Sequence, residues 1–376
     1  MKDKNQIPET FDKAGNKEQR KITDLRSSFS TNLPELFRQL NISLAVSTYQ
    51  AGKLIFIRPE DAKMNTHFRN FQRPMGIAVH QNQIAIGCKH SVEVFKNVPA
   101  IISRLPEPGN VDACFIPISS QQTGGIDIHE MAYGNNNVLW AVNTKFSCLV
   151  TFDANHSFVP RWRPHFISGL EPADRCHLNG LALENGVPKF VTALGQTNTP
   201  GGWRANKRDG GLLMDVPSNK IIFSGLSMPH SPRWYNNELY LLESGHGTLV
   251  KVDLASGEKK EVCRFPGFTR GLDFVGPLAF VGLSKVRETA TFSDFPLLEQ
   301  LNERVCGVYI CNIETGKIIG LVKFEGDVEE IFAVQVLRNT IFPEQLPLND
   351  PLLENTWVIP DDAIKDVEVS PKLDDI

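Results

Sequence analysis

A short pattern recurs six times along the chain, and a different residue heads each copy. The copies read MGIAV from Met75, HEMAY from His129, NGLAL from Asn179, SPRWY from Ser231, RGLDF from Arg270 and EIFAV from Glu330. Successive heads lie 54, 50, 52, 39 and 60 residues apart. Most copies run into a turn signal (QNQ, NNN, ENG, NNE) and then a second strand-like stretch. Repeats of this length with strands inside them are the mark of a β-propeller, an all-β fold in which small sheets stand around a central channel. The innermost strand of every blade lines that channel. Heads from Met75 to Glu330 are therefore expected to converge on one axis, among them His129, Asn179, Arg270 and Glu330.

The ends of the repeat set the blade count. EIFAVQVL opens a blade but lacks later strands, while ISLAVSTYQAGKLIFIRP supplies strands without an innermost one. Sharing one blade between the two ends closes the ring and removes exposed sheet edges. The expectation is a single six-bladed propeller over residues 31–345, although the 39- and 60-residue spacings leave five or seven open. A polar leader is expected over 1–30 and an acidic tail over 346–376. LPELFRQLN (33–41) reads as a short amphipathic helix, and a second is expected at 295–304 inside the fifth blade. SKVRE (284–288) places Lys285, Arg287 and Glu288 for a rim ion pair.

The formal net charge of −4 gives no electrostatic argument for nucleic acid or an anionic membrane. No apolar run approaches the ~18 residues of a membrane-spanning helix, and the polar N-terminus lacks the apolar stretch of a secretory signal. Seven cysteines without a CxxC pair read as reduced, buried thiols in a cytoplasmic protein.

Three of the nine histidines, His129, His177 and His230, fall at or within two residues of a repeat head. Three imidazoles and a carboxylate from Glu329 or Glu330 on one axis fit a divalent metal ion. In that reading a glutamate moves a proton, while Arg270 and Asn179 orient an anionic substrate. Arg73, just ahead of the first head, joins the substrate contacts. So do Trp203 and Arg204 from the long polar loop 195–211, a usual kind of recognition element on a rigid scaffold. The competing reading makes the axial side chains merely solvated channel residues and the loop an ordinary insertion. No phosphate loop, GxSxG, HExxH or EF-hand pattern is present.

STYQAGKL (47–54), MPHSPRW (228–234), PGFTRGL (266–272), FVGLSKVRE (280–288) and EEIFAVQVL (329–337) resemble a widespread bacterial conserved-hypothetical family, a domain of unknown function. The resemblance covers roughly 30–345. More distantly, the chain is similar to six-bladed propellers of the gluconolactonase, regucalcin and strictosidine-synthase kind, often called SMP-30-like. That likeness implies a metal site or catalytic pocket on the axis. Lactonase metals are held mainly by Glu, Asn and Asp, whereas this axis is rich in histidine.

The expected function is thus a metal-dependent enzyme of hydrolase, lyase or isomerase type. Its partner would be a small anionic molecule or a modified peptide. The alternative is a non-catalytic propeller that binds a ligand or a protein.

Overall fold

The computed structural model describes residues 24–285, 297 and 305–360. Six four-stranded antiparallel sheets stand in a ring. Blade 1 runs outward through Ile77–His80, Gln83–Gly87, Ser91–Asn97 and Ala113–Gln122. Blade 2 comprises Ile128–Tyr133, Leu139–Asn143, Cys148–Thr151 and Val159–Trp162. Blade 3 comprises Leu178–Glu184, Val187–Ala193, Gly211–Asp215 and Lys220–Leu226. Blade 4 comprises Pro229–Tyr235, Glu238–Glu243, Thr248–Asp253 and Glu258–Arg264. Blade 5 comprises Phe268–Val275, Leu278–Ser284, Cys306–Asn312 and Lys317–Phe324. Blade 6 takes its innermost strand, Ala333–Arg338, from late in the chain and the other three, Ile42–Thr48, Lys53–Glu60 and Lys63–Asn70, from its beginning. The innermost strands touch in sequence, and that of blade 6 returns to that of blade 1.

The closure expected from the sequence is thus the one observed, with Ile42 opposite Arg338 and Ser47 opposite Ala333. Two further strands cover sheet edges. Ser27–Phe29 pairs with the outer strand of blade 5, so the ordered fold begins inside the stretch read as a leader. Pro343–Gln345 adds in parallel to the outer strand of blade 1. Beyond it, Leu346, Leu352 and Leu353 pack with Ile101 and Ile116 along the outside of that blade. Most of the helix expected at 295–304, and Arg287 and Glu288 of the expected ion pair, lie outside the described residues.

Hydrophobic alternation explains why the ring holds. One apolar core lies between each pair of neighbouring blades. In Ile42–Thr48, Leu44 and Val46 face blade 5 while Ala45 faces blade 1. Every residue of that strand is buried, because both of its faces meet another blade. The helix Leu33–Leu40 seats Leu33 and Phe37 against the blade 5–6 core, with Phe37 edge-on to Phe280 at 6.1 Å. Burying a side chain of that size contributes about 1.5–3 kcal/mol.

A polar device repeats beside the cores. A hydroxyl at the end of a second strand donates to a carbonyl at the start of the next blade's innermost strand. Ser47 donates to Met75 O, Thr144 to Leu178 O at 2.6 Å, Ser244 to Thr269 O at 2.5 Å and Ser284 to Ile331 O at 3.1 Å. These bonds fix the strand starts where the repeat heads stand.

Candidate functional site

The heads coincide with irregularities in the innermost strands. In blade 2, His129 and Glu130 together oppose one residue, Val142; in blade 4, Ser231 and Pro232 oppose Leu241; in blade 5, Arg270 and Gly271 oppose Gly282. In blade 3, Asn179 is the extra residue between the paired Leu178 and Gly180. A β-bulge re-aims side chains and breaks period-two alternation. Backbone strain gathers at the same level: Arg73, Asp127, Asp174, His177, Met228 and Ser231 all have positive φ, between 47° and 53°. Such conformations persist in non-glycine residues where the surrounding structure enforces them. Gly271 is required outright, since its φ is +83° and a Cβ there would come within 2.7 Å of Val334 N.

Four of the heads divide into two groups. Asn179 Nδ2 donates to Pro229 O at 3.0 Å, and Ser231 Oγ accepts from Gly271 N at 3.1 Å. Both therefore staple neighbouring blades together, and Asn179, expected to orient substrate, is almost fully buried in that role. His129 and Arg270 instead meet at the axial mouth, joined by His177 and His230 from just ahead of their heads.

All three imidazoles are held through Nδ1. His129 Nδ1 bonds Asp127 O at 3.0 Å and His230 Nδ1 bonds Met228 O at 2.9 Å. In each case the carbonyl belongs to the positive-φ residue two places earlier, which turns it toward the ring. His177 Nδ1 bonds a carboxylate, Asp174 Oδ1, at 2.9 Å. Carbonyl and carboxylate oxygens only accept, so each Nδ1 carries a proton. Burial, His177 and the positive charge of Arg270 hold His129 well below the ordinary imidazole range. Burial and Arg270 do the same to His230. Both are neutral at pH 7.

The rings form a continuous wall. His129 stands edge-on to His177 at 4.8 Å and to Phe332 at 5.2 Å. His177 lies 4.3 Å from Trp203, and Tyr49 meets Phe332 at 5.6 Å. Trp203 and Arg204 sit on a short 3-10 helix, Gly202–Asn206, so the loop expected at the mouth does reach it. Asp174, which sequence reasoning missed, ties this side together. Its Oδ2 accepts from Trp203 Nε1 at 2.9 Å and from Arg204 Nη2 at 3.3 Å, while its Oδ1 holds His177. The D-x-x-H spacing in DRCH was the available signal.

Arg270 lies over the Phe332 ring, 3.5 Å from its centroid. It makes no hydrogen bond or ion pair with any described residue, and burial pushes its guanidinium down to about 10. Tyr49 and the carboxylates of Glu330 and Glu130 offset that only in part. Glu330 is buried. Glu329 is half-buried, its backbone N–H donating to Gln50 Oε1 at 3.2 Å and its carbonyl accepting from Lys285 N at 2.8 Å. Arg73 is exposed on the rim, 3.4 Å from Asp127 Oδ1.

Deeper in the channel, Arg233 of blade 4 reaches Glu130 of blade 2 through two hydrogen bonds of 3.1 Å. Burial raises the Glu130 carboxyl despite this partner. Glu130 feels Arg270 on one side, and both members of the pair feel Asp273. Two cations, Arg270 and Arg233, and two carboxyl groups, Glu130 and Asp273, thus stand within electrostatic reach of one another in the channel.

The donors present do not form a ready metal site. Among the described residues no group of three or more His, Cys, Asp or Glu side chains is placed to hold a metal ion. The edge-to-face packing of His129 and His177 and the adjacent Arg270 cation both oppose a divalent ion shared by the three histidines.

Among the described residues no helix is long and apolar enough to cross a membrane, and all seven cysteines are free and buried. No curated protein matches the chain. Among solved structures, a chain from the nidogen/laminin complex is 9% identical, with a TM-score of 0.48, covering 80% of this chain and 99% of its own. A protein of unknown function from Bacteroides caccae is also 9% identical, with a TM-score of 0.48, covering 79% of this chain and 99% of its own. The family model of a domain of unknown function, DUF4915, matches residues 31–346, and the chain belongs to that family.

Proposed function

We propose that the axial mouth binds a small anionic molecule and carries out proton transfer on it. The observation that carries this reading is Arg270, a half-buried guanidinium stacked on Phe332 whose N–H groups find no acceptor among the described residues. A half-buried cation without a hydrogen-bond acceptor is costly, and a carboxylate or phosphate supplies the missing acceptors bidentately. The neutral imidazoles of His129 and His230 offer Nε2 lone pairs to protons of the bound molecule. His177 is the general base of choice, because Asp174 fixes its tautomer and stabilises the imidazolium that forms. Trp203 and Phe332 wall the site. The reaction class is hydrolase, lyase or isomerase chemistry driven by acid–base catalysis. The placement of the histidines beside Arg270 favours this over a shared metal ion.

The test is a calorimetric titration of the whole protein with small carboxylates and with phosphate, alongside Arg270→Gln. Binding to the wild type that weakens at least tenfold in the variant supports the reading. Equal binding by both proteins overturns it, as does a stoichiometric metal retained on the three histidines after purification without added metal.

A second reading, a module that docks a protein partner, draws on Leu348, Trp357 and Ile359. These three stand 60–74% exposed on the segment that follows blade 1's added strand. A partner captured by the wild type and lost on changing all three to Ser would favour it.

A further inference from the structure

The channel continues beyond the Glu130–Arg233 bridge into a cavity of about 270 Å³. All six innermost strands line it, through residues two to eight places past the heads, so it lies toward their C-terminal ends. Its polar lining is Arg233, Asp273, Gln335 and Arg338. The acids there are already satisfied. Asp273 Oδ1 accepts from Phe274 N and its Oδ2 from Val336 N, both at 2.8 Å, while Glu130 behind it is held by Arg233. The donors are open to a ligand. Arg338, exposed at the outer end of the chamber, gives one N–H to Phe274 O, and its remaining N–H groups have no acceptor among the described residues. The Gln335 amide makes no hydrogen bond with any described residue, and Arg233 spends only its Nη groups.

We infer that this chamber is a second ligand site, one that takes a small oxyanion between Arg338 and Gln335, separated from the axial mouth by the Glu130–Arg233 bridge. The excess of unpaired N–H donors over free acceptors selects an oxyanion over a cation. The volume equals about nine waters of liquid, enough for a phosphate or a small carboxylate and too little for a drug-sized molecule. This second site does not depend on the function proposed for the mouth.

Inorganic phosphate and acetate are titrated separately into the full-length protein, into Arg338→Gln and Gln335→Leu, and into Arg270→Gln. Thermal unfolding confirms that each variant is folded. The expected result is two binding events with at least one of the probes at concentrations up to about 10 mM. Arg338→Gln and Gln335→Leu each weaken one event at least tenfold and leave the other within twofold; Arg270→Gln does the reverse. Preference for phosphate or for acetate in the event lost with Arg338 names the source of the oxyanion. A single event abolished by Arg270→Gln, binding unaffected by both chamber variants, or no binding of either probe overturns the inference.

Discussion

Replacing Arg270 by methionine is expected to stabilise the protein while removing its anion affinity. Methionine keeps an unbranched apolar stem over Phe332 and discards the half-buried charge. Burial brings the guanidinium down to about 10. Against an ordinary arginine of about 12.5, with each pKa unit worth about 1.36 kcal/mol, the unpaired charge costs about 3 kcal/mol. Water at the channel mouth screens part of this, which leaves about 1–2 kcal/mol of expected gain. The sign follows from linkage. A base whose folded pKa is depressed binds its proton less well when folded, so the cost is full below pH 10 and fades only above it. Urea unfolding at pH 7 measures the difference. Saturating anion should reverse the order, since a ligand at 100 times its Kd adds about 2.7 kcal/mol to the wild type and nothing to the variant. A variant less stable than wild type by 1 kcal/mol or more would show that Arg270 is satisfied in the folded protein and would refute the reasoning.

Three further outcomes follow from the same geometry. Glu130→Ala leaves the half-buried Arg233 without its partner and should cost about 3 kcal/mol in chemical unfolding, whereas Glu130→Met with Arg233→Met should recover most of it. His129 and His230 should stay neutral in NMR titrations well below the ordinary imidazole range. Because the unfolded chain binds those protons and the folded one does not, stability should fall as pH drops below about 6.5, less steeply in His129→Gln with His230→Gln. Ser47→Ala, Thr144→Val and Ser284→Ala each remove an inter-blade hydroxyl bond, and each should cost about 1–3 kcal/mol by thermal unfolding.

The scaffold was legible in the sequence because it rests on local signals. Strand alternation and Asn- or Gly-rich turns mark each hairpin, and the incomplete repeats at the two ends call for one another. The hydroxyl clamps were written there too, in AVST, AVNT, LLES and VGLS, but a lone Ser or Thr at a strand end looks ordinary until its acceptor in the next blade is known. The site was legible only in part. His129, His177, His230 and Arg270 were placed at the mouth by register alone, and Trp203 arrived with its loop. Their chemistry was not legible, since it depends on backbone carbonyls turned by positive φ at Asp127 and Met228. The bulges also defeated strict alternation. His129 and its neighbour Glu130 both enter the channel, one to the mouth and one to Arg233, 103 residues away. Asn179 misled for the opposite reason: its position matched the other heads, but its amide is spent on the next blade.

The most direct measurement is anomalous diffraction from a crystal of the wild-type protein soaked in bromide. The account predicts an anomalous peak in contact with the Arg270 guanidinium beside Phe332, and its loss in Arg270→Gln. A mouth empty of bromide, or a metal ion bound by the Nε2 atoms of His129, His177 and His230, would contradict it.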